Sequence, residues 1–158
     1  MQLTLYTDYS LRVLLYLGKH PDERVTITQI SDYYGISRNH LVKVVHNLSQ
    51  VELIHTIRGK SGGMFLAHDP KDINIADVVQ HMEPHMDLLE CFNDASNTCP
   101  ITEACGLKGV LFQAKKSFMD VLQSYTLADL LPAPSALSKH HIPIDTIQVK
   151  GKQLRSKQ

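Results

Sequence analysis

Between Thr26 and Ala67 the chain sets out a helix start, a left-handed stop, a second helix and a glycine-rich hairpin in direct succession, and few folds accept that order. Thr26-Ile-Thr-Gln29 has capping-box spacing, in which the threonine oxygen accepts one orphan N–H and the glutamine side chain reaches back for another. A short helix to Tyr34 follows, and Gly35 supplies the left-handed residue that ends it. Ser37 can cap the next helix, where Leu41, Val44, Val45 and Leu48 recur at core-facing intervals. Its other side and N-terminus carry Ser37, Arg38, Asn39, His40, Lys43 and Asn47. Two helices across a glycine turn read as a helix-turn-helix over about 28–51, whose second member enters a DNA major groove N-terminus first. Val51 and Glu52 stand where a glycine would end that helix, so it is expected to run on or to end raggedly.

Residues 53–67 then read as a hairpin, two short strands around Arg58-Gly-Lys-Ser-Gly-Gly63. Gly59, Gly62 and Gly63 can take positive φ and bring the backbone close to a phosphate, while Arg58 and Lys60 supply charge. A hairpin so placed is the wing of a winged helix. The fold class is therefore mainly α with a small β-hairpin wing. The formal net charge of zero argues, taken alone, against a nucleic-acid partner. Its distribution argues the other way. From Arg38 to His68 the cations Arg38, Lys43, Arg58 and Lys60 face only Glu52, whereas from Asp69 to Asp94 seven acidic residues face only Lys71. Such asymmetry steers an anionic polymer to one side.

All three cysteines, Cys91, Cys99 and Cys105, fall inside fifteen residues, with gaps of seven and five between them. Three close thiols without a fourth read as a metal or cluster site before they read as disulfides. The N-terminus lacks a basic n-region and a small-residue cleavage site, so it is not read as a signal peptide. No apolar run approaches the roughly 18 residues of a membrane span. These features point to a reducing cytoplasm, where thiolates bind metal. With 158 residues, 43% of them hydrophobic, the chain can bury one core, giving one domain over 1–131 and an appendage.

Residues 4–19 read as a helix capped by Thr4 or Thr7, with Leu11, Leu14 and Leu15 as its apolar stripe and Asp8 at the head of that face. On spacing alone Asp8 is a first-turn acid that suits the helix dipole. A further amphipathic run buries Ile75, Val78, Val79 and Met82 and stops at Pro84. His81 and His85 have the spacing of a zinc pair, but Pro84 between them breaks the register, and they read as exposed histidines. Cys105 ends the cysteine loop at 91–105 and opens a helix to about residue 125. Along it Leu107, Leu111, Ala114, Phe118, Val121 and Tyr125 alternate spacings of four and three, a dimerisation seam. Thr126–Leu131 adds a short capped turn, and 132–158 is a basic, aperiodic tail expected to be flexible.

Several of these motifs, in this order, carry a resemblance. Cys99-Pro-Ile-Thr-Glu-Ala-Cys-Gly-Leu-Lys108, Arg58-Gly-Lys-Ser-Gly-Gly63 and Tyr125-Thr-Leu-Ala-Asp-Leu-Leu131 resemble the winged-helix iron–sulfur regulator family that includes IscR. Gln2-Leu-Thr-Leu-Tyr-Thr-Asp-Tyr-Ser10 and Ser37-Arg-Asn-His-Leu-Val-Lys43 look most like its NsrR branch, the nitric-oxide-sensitive repressors. The resemblance covers residues 1–131. It implies a homodimer on a palindromic double-stranded DNA operator, repressing nitrosative-stress genes. It also implies one iron–sulfur cluster per subunit, 2Fe-2S or 4Fe-4S, bound by Cys91, Cys99 and Cys105. Lys108 stands where an IscR-like chain would offer a histidine. Asp8 matches the aspartate that NsrR-like chains donate from the partner subunit. The gap between Cys91 and Cys99 is longer than the family pattern, so the loop is expected to bulge.

A carboxylate is a hard, weakly held ligand beside three soft thiolates, so the iron facing Asp8 is the natural entry point for nitric oxide. Arg38 and Asn39 are the expected base readers, Arg58 and Lys60 the expected phosphate contacts. Two alternatives stay open: an IscR-like redox or iron-supply regulator, and a DNA-binding module stapled by zinc. An enzyme is not expected. The chain has no Cys-x-x-Cys pair, no nucleophile–base motif and no phosphate-binding Gly-Lys loop outside the wing.

Overall fold

The computed structural model describes residues 2–132, so apart from Pro132 the tail at 132–158 lies outside the described residues. Helix α1, Leu5–Lys19, begins at Thr4, whose hydroxyl accepts the Thr7 N–H at 3.2 Å. The buried face of α1 differs from the expected leucine stripe. It runs through Thr7, Ser10, Val13, Leu14 and Leu17, all at most 1% exposed, while Leu11 and Leu15 are only half-buried. The reason is that the two hydroxyls bond within their own turn. Ser10 Oγ donates to the Tyr6 carbonyl at 2.8 Å, and Thr7 Oγ1 shares a hydrogen with Thr4 Oγ1 at 3.1 Å. Neither oxygen then resists burial.

Helix α2, Ile27–Tyr34, starts at the expected capping box and ends at Gly35, whose φ of 66° is left-handed. Helix α3, Arg38–Gln50, buries Leu41, Val44, Val45 and Leu48. Ser37 holds the N-cap position of α3, but its side chain makes no capping bond. The C-terminus of α3 is not ragged. Glu52 itself takes the left-handed position, φ 58°, and the Leu53 N–H closes on the Leu48 carbonyl at 3.0 Å.

Strands β1, Ile54–Ile57, and β2, Gly63–Leu66, pair antiparallel with Ile54 opposite Leu66 and Ile57 opposite Gly63. Val25 adds a bridge to Met64 on the far side of β2. Of the wing glycines only Gly59 has positive φ, 106°. Gly62 is needed for a different reason: a Cβ there would run into the Ile57 carbonyl oxygen.

Helix α4, Ile75–Met82, buries Ile75, Val78, Val79 and Met82 as expected. The cysteine loop leads from it to helix α5, Gly106–Gln123, in which no residue is buried. Helix α6, Leu127–Leu130, starts at a second capping box, Thr126 with Asp129, and returns the chain to the core. Leu127 is fully buried there, and its N–H donates to the Ile73 carbonyl at 2.8 Å. Among the described residues no helix is long and apolar enough to cross a membrane.

Helix α1 packs against α3, α4, α6 and β2. Truncating Leu17 to alanine is expected to cost about 2–5 kcal/mol of stability, and truncating half-buried Leu11 less than half as much. Urea unfolding of the two variants measures this. Equal losses would return the buried line to Leu11 and Leu15.

Candidate functional site

The outer face of α3 is open. Ser37, Arg38, Asn39, His40, Lys43 and His46 are all exposed, as is Val42, and Asn47 is half-buried. Helix α1 fixes how that face is presented. The Tyr6 hydroxyl donates to the Lys43 carbonyl oxygen at 3.0 Å, and the Tyr9 and His40 rings lie 6.1 Å apart. Burial pushes the Tyr6 phenol above its usual range, and a bond with Asn47 opposes this. It therefore stays protonated and remains a donor at neutral pH.

Arg58 and Lys60 are exposed at the wing tip. Arg24 joins them, its Nη1 donating to the Ser61 carbonyl at 3.3 Å. Sequence reasoning missed Arg24, because only the Val25–Met64 bridge brings the segment before α2 to the wing. A polar helix face beside a cationic, glycine-tipped hairpin defines a winged helix-turn-helix DNA-binding protein.

The cysteines lie between α4 and α5, and all three are free. Cys91 sits in a short 3-10 turn, Glu90–Phe92, and is 7% exposed, while Cys99 and Cys105 are half-buried. Within the long gap between Cys91 and Cys99 the chain turns at Asn93, whose Oδ1 accepts the Ala95 N–H at 3.1 Å, and a second turn then encloses Cys99. Asn97 Oδ1 accepts the Cys99 N–H at 3.1 Å, and Thr102 Oγ1 donates to the Cys99 carbonyl at 2.9 Å. Asn97 Nδ2 donates to Thr102 Oγ1 at 3.0 Å and closes the turn. Cys105 is the N-cap residue of α5.

Among the described residues no three His, Cys, Asp or Glu side chains converge on one ion. The donor set nonetheless fits a soft, thiolate-liganded centre in kind, with three free thiols in one loop.

Asp8 does not join the cysteines within one subunit in such a donor group. Its carboxylate is held by Arg12 through two bonds, Nε to Oδ1 at 3.0 Å and Nη2 to Oδ2 at 2.8 Å. Arg12 also lies over the Tyr34 ring, 5.8 Å from its centroid, which joins α1 to the end of α2. Burial first, and then Tyr33, raise the Tyr34 phenol, with the Arg12 charge opposing. The i, i+4 spacing of Asp8 and Arg12 was a legible signal for that pair. His81 and His85 are exposed, and α4 ends at Met82 before Pro84, so they form no helical zinc pair.

A family model described as "Rrf2: Iron-dependent Transcriptional regulator" matches residues 3–133. The chain is 50% identical over 132 residues to the HTH-type transcriptional regulator NsrR of Shouchella clausii, covering 83% of this chain and 89% of that one. It is 48% identical to the Bacillus subtilis protein of the same name, covering 83% and 90%. The solved structure of T. potens IscR superposes with a TM-score of 0.64 at 26% identity, over 82% of this chain and 85% of that one. The cysteine regulator CymR of B. subtilis has the same fold, with a TM-score of 0.66 at 23% identity, over 82% and 95%. The chain belongs to the Rrf2 family of transcriptional regulators. It is a DNA-binding repressor.

The two parts of the candidate DNA surface separate experimentally. Lys60→Ala is expected to weaken binding to all duplexes about equally and to lower the salt slope by about one. Asn39→Ala should change which sequences are preferred. Fluorescence anisotropy across salt concentrations and duplexes reads both, and a changed base preference in Lys60→Ala would overturn the assignment.

Proposed function

We propose that this repressor senses nitric oxide through an iron–sulfur cluster, one per subunit of a homodimer, and releases its palindromic operator when the cluster is lost. The genes it controls on this reading are those of the nitrosative-stress response. The observation that carries the reading is the set of three free thiols, Cys91, Cys99 and Cys105, in the loop that opens α5. The NsrR name of relatives about half identical supports it. Asp8 is the proposed fourth ligand, given across the dimer. Lys108 leaves the histidine-liganded arrangement without its histidine.

Helix α5 supports the dimer. It buries nothing within the subunit, and Leu107, Val110, Phe112 and Val121 are 59%, 62%, 60% and 45% exposed. Leu107, Val110 and Val121 share one face, whereas Phe112 lies about 140° round the helix from Leu107. Its far end, Leu122 and Tyr125, packs on the subunit's own core. Large apolar side chains exposed along one helix face are normally covered by protein.

A cluster held by these thiolates would supply iron that binds nitric oxide. The chain's own residues then account for the response. An Asp8 carboxylate set free has Arg12 four residues along as a ready partner. Because α1 carries Asp8 on one flank and Tyr6 on another, a shift of α1 passes through the Lys43 carbonyl into α3. Two recognition helices moved in this way lose the spacing that matches successive major grooves.

Anaerobically purified protein is expected to show visible absorbance with matching iron and acid-labile sulfide, bleached by nitric oxide as DNA is released. Stoichiometric zinc without sulfide would sink gas sensing and leave the zinc-stapled reading. Asp8→Ala should alter the cluster spectrum and the nitric oxide response, and an unchanged variant would remove Asp8 from the ligand set. Val121→Glu should convert the dimer to monomer in sedimentation velocity. A dimer that survives places the interface elsewhere.

A further inference from the structure

One side chain on the DNA face of α3 is of the wrong kind for phosphate or hydrogen-bonded base contact. Val42 is 52% exposed, whereas the core residues of the same helix, Leu41, Val44, Val45 and Leu48, are 0–7% exposed. It stands one turn from Arg38 and Asn39 on one side and from His46 on the other, all exposed and polar. Its remaining neighbour at this spacing, Val45, is buried. Val42 is therefore neither an edge of the core nor part of an apolar patch that a protein partner could cover.

We propose that Val42 is a base-reading residue that packs its isopropyl group on the 5-methyl group of a thymine in the major groove. The thymine methyl is the one apolar group that base-pair edges present there, and the major groove is where this helix docks. A valine within a helix holds essentially one χ1 rotamer, so its two methyls are fixed before binding and little side-chain entropy is lost on contact. Each turn of α3 rises about 5.4 Å. Val42 thus addresses a base pair within one or two steps of those reached by Arg38 and Asn39. Arg38 and Asn39 read hydrogen-bond patterns, and Val42 adds a methyl to the pattern. A cytosine or an unmethylated pyrimidine at that position leaves the side chain facing water. Tyr6 strengthens the argument, because its bond to the Lys43 carbonyl pins the backbone next to Val42.

The test uses the full-length protein with duplexes enriched from a randomised pool. Each thymine of the enriched duplex is replaced singly by deoxyuridine, which deletes only the methyl. At one position per half-site, uracil is expected to weaken wild-type binding about fourfold, the effect of leaving roughly one methyl group unburied. Val42→Ala should bind the thymine and uracil duplexes alike at that position and keep its other preferences. Since Val42 is exposed, the alanine variant should fold as the parent does, which circular dichroism and urea unfolding check. A full uracil penalty in Val42→Ala, or no uracil penalty anywhere in the wild type, would overturn the assignment. A pool from which no duplex is enriched would overturn the groove-reading role of α3 and Val42's role with it.

Discussion

The burial of one face of α1 against four elements at once is the constraint on which the molecule depends. Val13, Leu14 and Leu17 are at most 1% exposed, and the helix touches α3, α4, α6 and β2. It thereby joins the recognition helix and the wing to α4, the helix that leads into the cysteine loop. Thr7 and Ser10 lie on that face with no unsatisfied oxygen. Their short side chains bury at little cost, whereas a charged residue at either position would have to break the packing or lose its charge. The polar groups of α1 that reach other elements, Tyr6 and Arg12 among them, lie on its flanks.

This arrangement gives the proposed switch its leverage. A sensor at a distance from DNA needs an element with a limited number of arrangements between the two sites. Here the element is a single helix, three turns of which separate nothing more than Tyr6 from Leu17. The Asp8–Arg12 pair is exposed by about 40% on each side, so it contributes little to stability. A weak pair suits the exchange of partners proposed for Asp8. Arg12 over the Tyr34 ring extends the same contact to α2, so both helices of the helix-turn-helix are tied to the helix that bears Asp8.

Much of this was legible because it rests on local chemistry. The capping boxes at Thr26 and Thr126, the stop at Gly35, the buried stripe of α3 and the cationic hairpin are each specified by a few neighbouring residues. The α1 face was misread because a hydrophobic stripe was sought where two hydroxyls, satisfied within their own turn, take part in the core. Glu52 was hard to place for the opposite reason: the backbone adopts a left-handed conformation at a residue that does not favour it. Arg24 and Tyr6 act through contacts between segments 37 residues apart, which no spacing rule encodes. The relation between Asp8 and the cysteines came from family resemblance alone. Within one subunit the spacing of Asp8 points to Arg12.

The zero net charge bears on how such a repressor can be regulated. A strongly basic protein would hold DNA through long-range attraction whatever the angle of its helices. Among the described residues the proposed DNA surface carries few cations, Arg38 and Lys43 on α3 with Arg24, Arg58 and Lys60 near the wing. On the proposed reading one such surface binds weakly on its own, and tight binding comes when both halves of the proposed dimer engage at once. The second engagement benefits from an effective concentration that vanishes when the geometry no longer spans the two half-sites. A small movement of α1 therefore need not weaken any single contact with DNA. It has only to set the two recognition helices out of step.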